Sequence, residues 1–315
     1  MTIASVRKKQ KTKPFSTLLS SLAVIAIFLL MLIMSGDISS YVKEGLNLSI
    51  GVIIPSVFPF LLITDIFITS VRIEKIPLIR RIFERIFKIS GYAAAVFLCG
   101  ILCGFPIGAK LSVDLYENGI ISKCECERLM SFCNNPSPVY VIFVVGLGLR
   151  RSLAHGFYLY TISIISSSIT GWLIGISKAK TNIIHNIRWQ NYNFTKSIKQ
   201  SSDICINICA FVTTFAIACG LIKKFVTNPL ISGIFISFLE ISNATSYLSE
   251  LCICAPIYSF IMTAFSLSFS GTSVITQTAC ISASRNDLSI INHIKYKLLQ
   301  GAISIITSLV FIPFI

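Results

Sequence analysis

Between Pro14 and Asp37 the chain carries no ionisable side chain, and further apolar stretches recur at 46–70, 136–149, 152–176, 204–222, 227–247 and 298–315. An α-helix needs about 20 such residues to cross a hydrocarbon layer of roughly 30 Å. Inside that layer no water satisfies free N–H and C=O groups, so helices are the spanning structure that such stretches allow. With the 136–149 stretch extended back to about Arg128, the pattern predicts an all-α polytopic membrane protein with about seven spanning helices. Only 13% of the 315 residues are charged, against about a quarter in a soluble domain. A water-facing surface cannot be covered with so few.

The charge balance supports this reading. Lys and Arg number 27 against 13 Asp and Glu. An excess of that size also suits nucleic acid. Here the positive residues cluster in short segments between apolar stretches, as the positive-inside rule describes, so nucleic acid is not an expected partner. Residues 7–13 (RKKQKTK), 72–88 and 178–199 are the basic segments, and they place the N-terminus in the cytoplasm. A signal peptide also starts with charge followed by an apolar run, but no A-x-A site follows residues 15–34. The expected organisation is a basic tail over 1–14 and one membrane domain over 15–315.

Two regions do not read as simple spans. Residues 91–118 begin apolar and break at GFPIGAK; residues 251–284 begin apolar and break at SGTSVITQ. Broken backbone survives at membrane depth only inside protein or beside a wet cavity, so both are expected to be re-entrant hairpins. Residues 71–90 place Leu78, Ile79, Ile82, Phe83, Ile86 and Phe87 on one helical face, interrupted by Arg80, Arg81, Arg85 and Lys88. That is the pattern of an amphipathic helix in the interface. Each half pairs an interrupted hairpin with a span carrying amides, which suggests a pseudo-repeat. Paired interrupted segments are the best sequence pointer to a carrier's binding site.

Four polar clusters are candidate solute contacts. In the first, Gly104, Pro106 and Gly108 break a helix and expose backbone, and Lys110 adds a charge. A half-helix N-terminus there favours an anion, although Lys110 can also snorkel to the interface. The second holds Asn134, Asn135 and Ser137 between Pro136 and Pro138; it reads either as a polar site at a helix break or as a capped helix start. The third is Asn243 with Glu240, an acid at membrane depth that suits a proton, a cation or a partner charge, or a structural interhelical bond. The fourth is Ser270, Gly271, Thr272, Ser273 and Gln277, a small polar tip. The three histidines lie apart. No P-loop, nucleophile elbow or HExxH occurs, so neither an enzyme nor a cofactor is expected. Most of the 11 cysteines sit in apolar stretches as small hydrophobes; Cys124 and Cys126 lack a second ligand pair at zinc-site spacing.

The run CGFPIGAKLSVDLYENGIISKCECERLMSFCNNPSP, Gly104 to Pro138, resembles sporulation integral membrane proteins of the YlbJ type. These read G-[FY]-P-x-G-A-K, then an acidic Gly-containing turn, then E-x-x-R-L-L-S-F-x-N-N-x-S-P. Glu125, Arg128, Leu129, Ser131, Phe132, Asn134 and Asn135 stand at the matching positions. SFSGTSVITQ resembles the second Gly- and Ser-rich hairpin. The resemblance implies a nucleoside-recognition (gate) domain, related to concentrative nucleoside transporters, with two re-entrant hairpins framing the solute. It also implies a role in spore maturation and passage of dipicolinic acid, a small planar anion, across the outer forespore membrane, with a proton or cation as a possible coupling partner. The acidic substrate motif of nucleoside transporters is missing from the first hairpin, where Lys110 stands. A nucleoside carrier and a membrane scaffold for spore assembly are the competing readings.

Overall fold

The computed structural model describes residues 14–70, 76–177, 193–283 and 287–315; among these the regular structure is helical and no strand occurs. Helix α1 (Pro14–Ile33) leaves its large apolar side chains from Val24 to Ile33 uncovered, with Ile33 82% exposed. Such a surface suits lipid. Helix α2 (Ser35–Leu48) runs through a π-helical stretch, Ser49–Ile53, into α3 (Ile54–Ser70). This span therefore starts at Ser35, not at 46. The polar residues that depress its early hydropathy have partners on α9 (Phe194–Phe225): Asp37 pairs with Lys224, and Glu44 lies 3.9 Å from Lys223. The two helices pack closely enough that a Cβ on Gly45 would lie 2.8 Å from Thr213 Cα.

The segment expected at the interface is described from α4 (Pro77–Ile82), which widens into a π-turn, Phe83–Phe87, ended by Lys88 at φ 50°. Residues 71–75 lie outside the described part. The expected apolar face divides. Phe83 and Phe87 are buried against Phe97 and Phe132, with the Phe87 and Phe132 rings stacked at 5.5 Å. Leu78, Ile82 and Ile86 remain exposed.

Among the described residues, four helices are long and apolar enough to cross a membrane: Ser35–Thr64, Leu153–Ile176, Phe194–Phe225 and Pro256–Ser282. Between them lie shorter pieces. Helices α5 (Ala93–Cys103) and α6 (Ile107–Glu117) fold back on one another: a Cβ on Gly100 would sit 3.5 Å from Gly108 Cα. Helix α7 (Lys123–Phe132) gives way to an extended stretch and then to a π-helical segment, Val139–Leu149. Helix α8 (Leu153–Ser177) follows. After α9 come α10 (Pro229–Leu239) and α11 (Ile241–Glu250), then α12 (Pro256–Phe269) and α13 (Gly271–Ser282), and last α14 (Ile290–Leu309).

The second fold-back differs from the expectation. The Tyr247 hydroxyl donates to Pro229 O at 3.2 Å. In a straight helix, residues so far apart would be separated by roughly 27 Å. The chain thus doubles back at Glu240, within the stretch read as a span. The stretch read as a hairpin, 251–284, holds instead one apolar run interrupted at Ser270 (φ 80°), where α12 continues into α13. The two halves of that run diverge: α12 packs on α14 and α8, whereas α13 packs on α6 and α9. Hydropathy misplaced the turn because Glu240 is a one-residue break with neither Gly nor Pro beside it.

Helix α14 packs one face against α7, α8, α12 and α13 and leaves Ile291, Leu298 and Ile306 exposed on the other. His293, Lys297, Gln300, Ser304 and Ser308 form a stripe along it, each fully buried. These side chains lower its hydropathy, so the apolar run was placed at 298–315, but they face protein rather than lipid. Its start is set by Glu127 of α7, which accepts from Ser289 N and Asn292 Nδ2, both at 2.9 Å.

Candidate functional site

The first hairpin clasps the irregular stretch that follows α7. Gly104 has φ +86°, and the Phe105–Pro106 peptide is cis. A Cβ added to Gly100 would meet Cys133 O at 1.8 Å, one on Gly108 would meet it at 2.2 Å, and one on Gly104 would lie 2.7 Å from Ser137 Cβ. Only glycine lets the hairpin backbone lie against the backbone of 133–137. The glycines of the GFPIGAK region are thus packing glycines. They seat the Asn134–Pro138 break beside the hairpin tip.

Asn135 locks that break. Its Nδ2 donates to Phe132 O (2.8 Å) and Ser167 Oγ (3.0 Å), and its Oδ1 accepts from Gln300 Nε2 (2.9 Å). Asn134 is held more lightly, through Nδ2 to Thr278 Oγ1 at 3.2 Å. Other residues of the same motif tie elements together. Glu125 accepts from Ser90 N at 2.6 Å, just ahead of α5. Arg128 donates to Phe87 O and, at 3.3 Å, to Lys88 O. A buried guanidinium on main-chain carbonyls closes the end of the Phe83–Phe87 turn.

The second half repeats this arrangement with different residues. Glu240 caps α11: its Oε2 accepts from Asn243 N (2.7 Å) and Asn243 Nδ2 (2.8 Å). The break in the α12–α13 run lies against this tip. Thr272 Oγ1 donates to Leu239 O at 3.2 Å, and Gly271 (φ +65°) passes close enough that a Cβ would be 3.0 Å from the same oxygen. A hairpin tip joined to a broken helix therefore occurs twice.

Between the two units lies a cavity with about 60 Å³ available to water centres. A water needs roughly 10–15 Å³ on this measure, so the space is real but small. Gly104 and Phe105 line it from the first tip, Pro136 and Ser137 from the break after α7, Tyr140 from the Val139–Leu149 segment, Glu240, Ile241 and Ser242 from the second tip, and Gln277 from α13; Ser56 and α9 complete the wall. Two half-helices begin at this space, the Val139–Leu149 segment and α11. Helix N-termini carry partial positive charge and free N–H groups. Glu240 occupies the one on α11.

The candidate residues separate accordingly. Gly104, Ser137, Glu240 and Gln277 line the cavity. Pro106 joins Gln277, Asn207 and Cys280 around a neighbouring space beneath it. Asn243 faces a polar cavity on the far side of Glu240, with Ser40, Lys43, Glu44, Asn47 and Ser246. Gly108, Asn134 and Asn135 stand behind the wall as packing and clamp. Ser270, Gly271 and Thr272 form the in-line break, and Ser273 accepts from Gln277 Nε2 at 3.4 Å. Lys110 is buried in α6, away from the cavity lining. Its position next to the GFPIGA break suggested a place facing the solute, but the second turn of α6 carries it off the tip.

Sequence reading missed Tyr140, Ser56, Lys297 and Gln300. The signal for the last two was the spacing of polar residues on α14, four apart and then three. Cys124 is exposed and Cys126 buried, and among the described residues no group of three or more His, Cys, Asp or Glu comes together.

Over 118 residues the chain is 31% identical to "Sporulation integral membrane protein YlbJ" of Bacillus subtilis (strain 168), a stretch covering 37% of this chain and 29% of that protein. The chain thus spans under a third of the length of the curated relative that it matches. No family model matches the sequence, and no solved structure matches it. An integral membrane protein similar to a sporulation membrane protein is the reading on which the match and the apolar helices agree.

Proposed function

We propose that the chain is a carrier for a small anionic solute, working by alternating access around the cavity between the two hairpin tips. One observation carries this. Polar groups from two separate hairpin–break units converge on one space within an apolar helical bundle. Broken helices with free backbone groups are costly at membrane depth unless they serve such a space, and carriers place their sites at the junction of such repeats. The N-terminus of the Val139–Leu149 segment, which reaches the lining at Ser137 and Tyr140, supplies positive potential there.

Similarity to a sporulation membrane protein makes dipicolinate, a planar dianion, the first solute to test. The proposed location is then the outer forespore membrane, with the N-terminus in the cytoplasm and both hairpins re-entrant. A second reading rests on Glu240. A carboxylate on the lining suits a neutral hydroxyl-rich solute such as a nucleoside, which it binds as an acceptor.

Equilibrium binding to the purified chain separates the two. Radiolabelled dipicolinate and uridine are compared, with Gln277→Ala and Ser137→Ala as variants. Saturable dipicolinate binding that both variants weaken supports the anion carrier. Uridine binding alone replaces it with the nucleoside reading. No binding of either favours a scaffold.

A further inference from the structure

The most deeply buried charge lies beside the cavity rather than in it. Lys297 of α14 is fully buried. Its Nζ donates to Asn134 O (2.5 Å), Gln300 Oε1 (3.0 Å) and Ser268 O (3.4 Å), and sits 5.5 Å from the centroid of the Phe105 ring. An ammonium has three N–H donors and no acceptor. Three oxygens meet it, all of them neutral, and an aromatic face covers it, as suits a cation.

The origin of those oxygens matters more than their number. Asn134 O lies just past the end of α7, in the stretch where the chain leaves the helix. Ser268 O belongs to the last turn of α12, just before the Ser270 break. Both are main-chain carbonyls at the C-terminal ends of half-helices, where unsatisfied C=O groups gather partial negative charge. In carriers built from broken helices, unwound carbonyls and half-helix C-termini are where the coupling cation binds. We propose that the Lys297 ammonium is a tethered stand-in for that cation. It joins the two broken helices of the two halves and the first hairpin tip through Phe105, and no sodium ion binds at this point.

Gln300 fits the role. It accepts from Lys297 and donates to Asn135, so the ammonium and the clamp on the first break form one connected network. Phe105 lines the cavity and also covers the ammonium, which separates the fixed charge from the solute. The consequence for flux rests on the carrier reading; the occupancy of the half-helix ends does not.

The test uses the full-length chain in detergent, with thermal unfolding followed in NaCl and in choline chloride at equal ionic strength. The wild type is expected to show no difference between the salts. Lys297→Ala empties the place between the carbonyls; it is expected to melt lower in choline and to regain stability specifically in sodium. Lys297→Met fills the place without charge and is expected to show no such gain. A sodium-specific rise in the wild type, or its absence in Lys297→Ala, overturns the proposal. Should Lys297→Ala fail to fold, binding of ²²Na⁺ to the wild type decides: saturable binding overturns the proposal, and its absence upholds it. In vesicles, solute flux that requires sodium also overturns it. If the salt results come out as expected but no solute moves, the carrier reading falls while the role of Lys297 stands.

Discussion

Asn134 and Asn135 are neighbours of the same type on the same break, yet their environments predict different costs of removal. Asn135→Ala deletes three buried hydrogen bonds, to Phe132 O, Ser167 Oγ and Gln300 Nε2. Side-chain hydrogen bonds within membrane proteins average about 0.6 kcal/mol, which gives about 2 kcal/mol for the three. Phe132 O keeps Ser167 Oγ as a donor at 2.5 Å. Gln300 Nε2 has no such replacement, and a stranded buried amide costs roughly 1–3 kcal/mol. Because that penalty overlaps with the lost bond, the expected total is about 2–3 kcal/mol. Asn134→Ala deletes one side-chain bond, to Thr278 Oγ1, which keeps its own bond to Val274 O. The main-chain carbonyl that receives Lys297 is unaffected. Its expected cost is under about 1 kcal/mol. Reversible unfolding in mixed micelles, titrated with SDS, reads both variants on one scale. The reasoning fails if Asn134→Ala destabilises as much as Asn135→Ala or more.

Gly108→Ala drives a Cβ to 2.2 Å from Cys133 O, so overpacking is expected to cost roughly 1–3 kcal/mol; Gly36→Ala, which meets nothing within 4 Å, should leave the unfolding midpoint unchanged. Glu240→Ala removes the cap of α11 and is expected to destabilise by about 1 kcal/mol, with Glu240→Gln milder because one amide oxygen remains to accept; thermal unfolding distinguishes them, and equal effects would refute the capping role. Glu127→Ala frees Ser289 N and the Asn292 amide, so hydrogen exchange should rise over 289–293 and stay constant in α8. Gln277 makes one long side-chain bond, so Gln277→Ala should lower solute affinity while shifting the melting midpoint little; a large loss of stability would make it structural instead.

The helical membrane architecture was legible because apolar length is a direct demand of the bilayer. GFPIGAK and the Asn134–Pro138 stretch were legible as breaks for the opposite reason: Gly, Pro and amides contradict the apolar runs around them. What failed was geometry that depends on neighbours. Ser270-Gly271 has the composition of a hairpin tip but does not fold the chain back on itself, since α12 packs chiefly on α14 and α8 and α13 on α6 and α9. Glu240 turns the chain back without a glycine, because its carboxylate supplies the cap that a sharp reversal needs. Lys110 attracted attention through its closeness in sequence to the first break, whereas Lys297, distant in sequence, reaches the carbonyls of both broken helices. Hydropathy weighs each residue without knowing which face meets protein, and for that reason the first turns of α14, with His293 and Lys297, fell outside the span placed at 298–315. The roles of Asn134 and Asn135 diverged through contacts with Thr278, Ser167 and Gln300 that no local pattern encodes.

The most direct measurement is uptake into vesicles reconstituted with the wild-type chain and with Gln277→Ala. The account predicts saturable dipicolinate entry above that of empty vesicles, with the variant needing higher concentrations to reach half its maximal rate. Entry indistinguishable from empty vesicles for dipicolinate, for uridine and for other small polar solutes would contradict it.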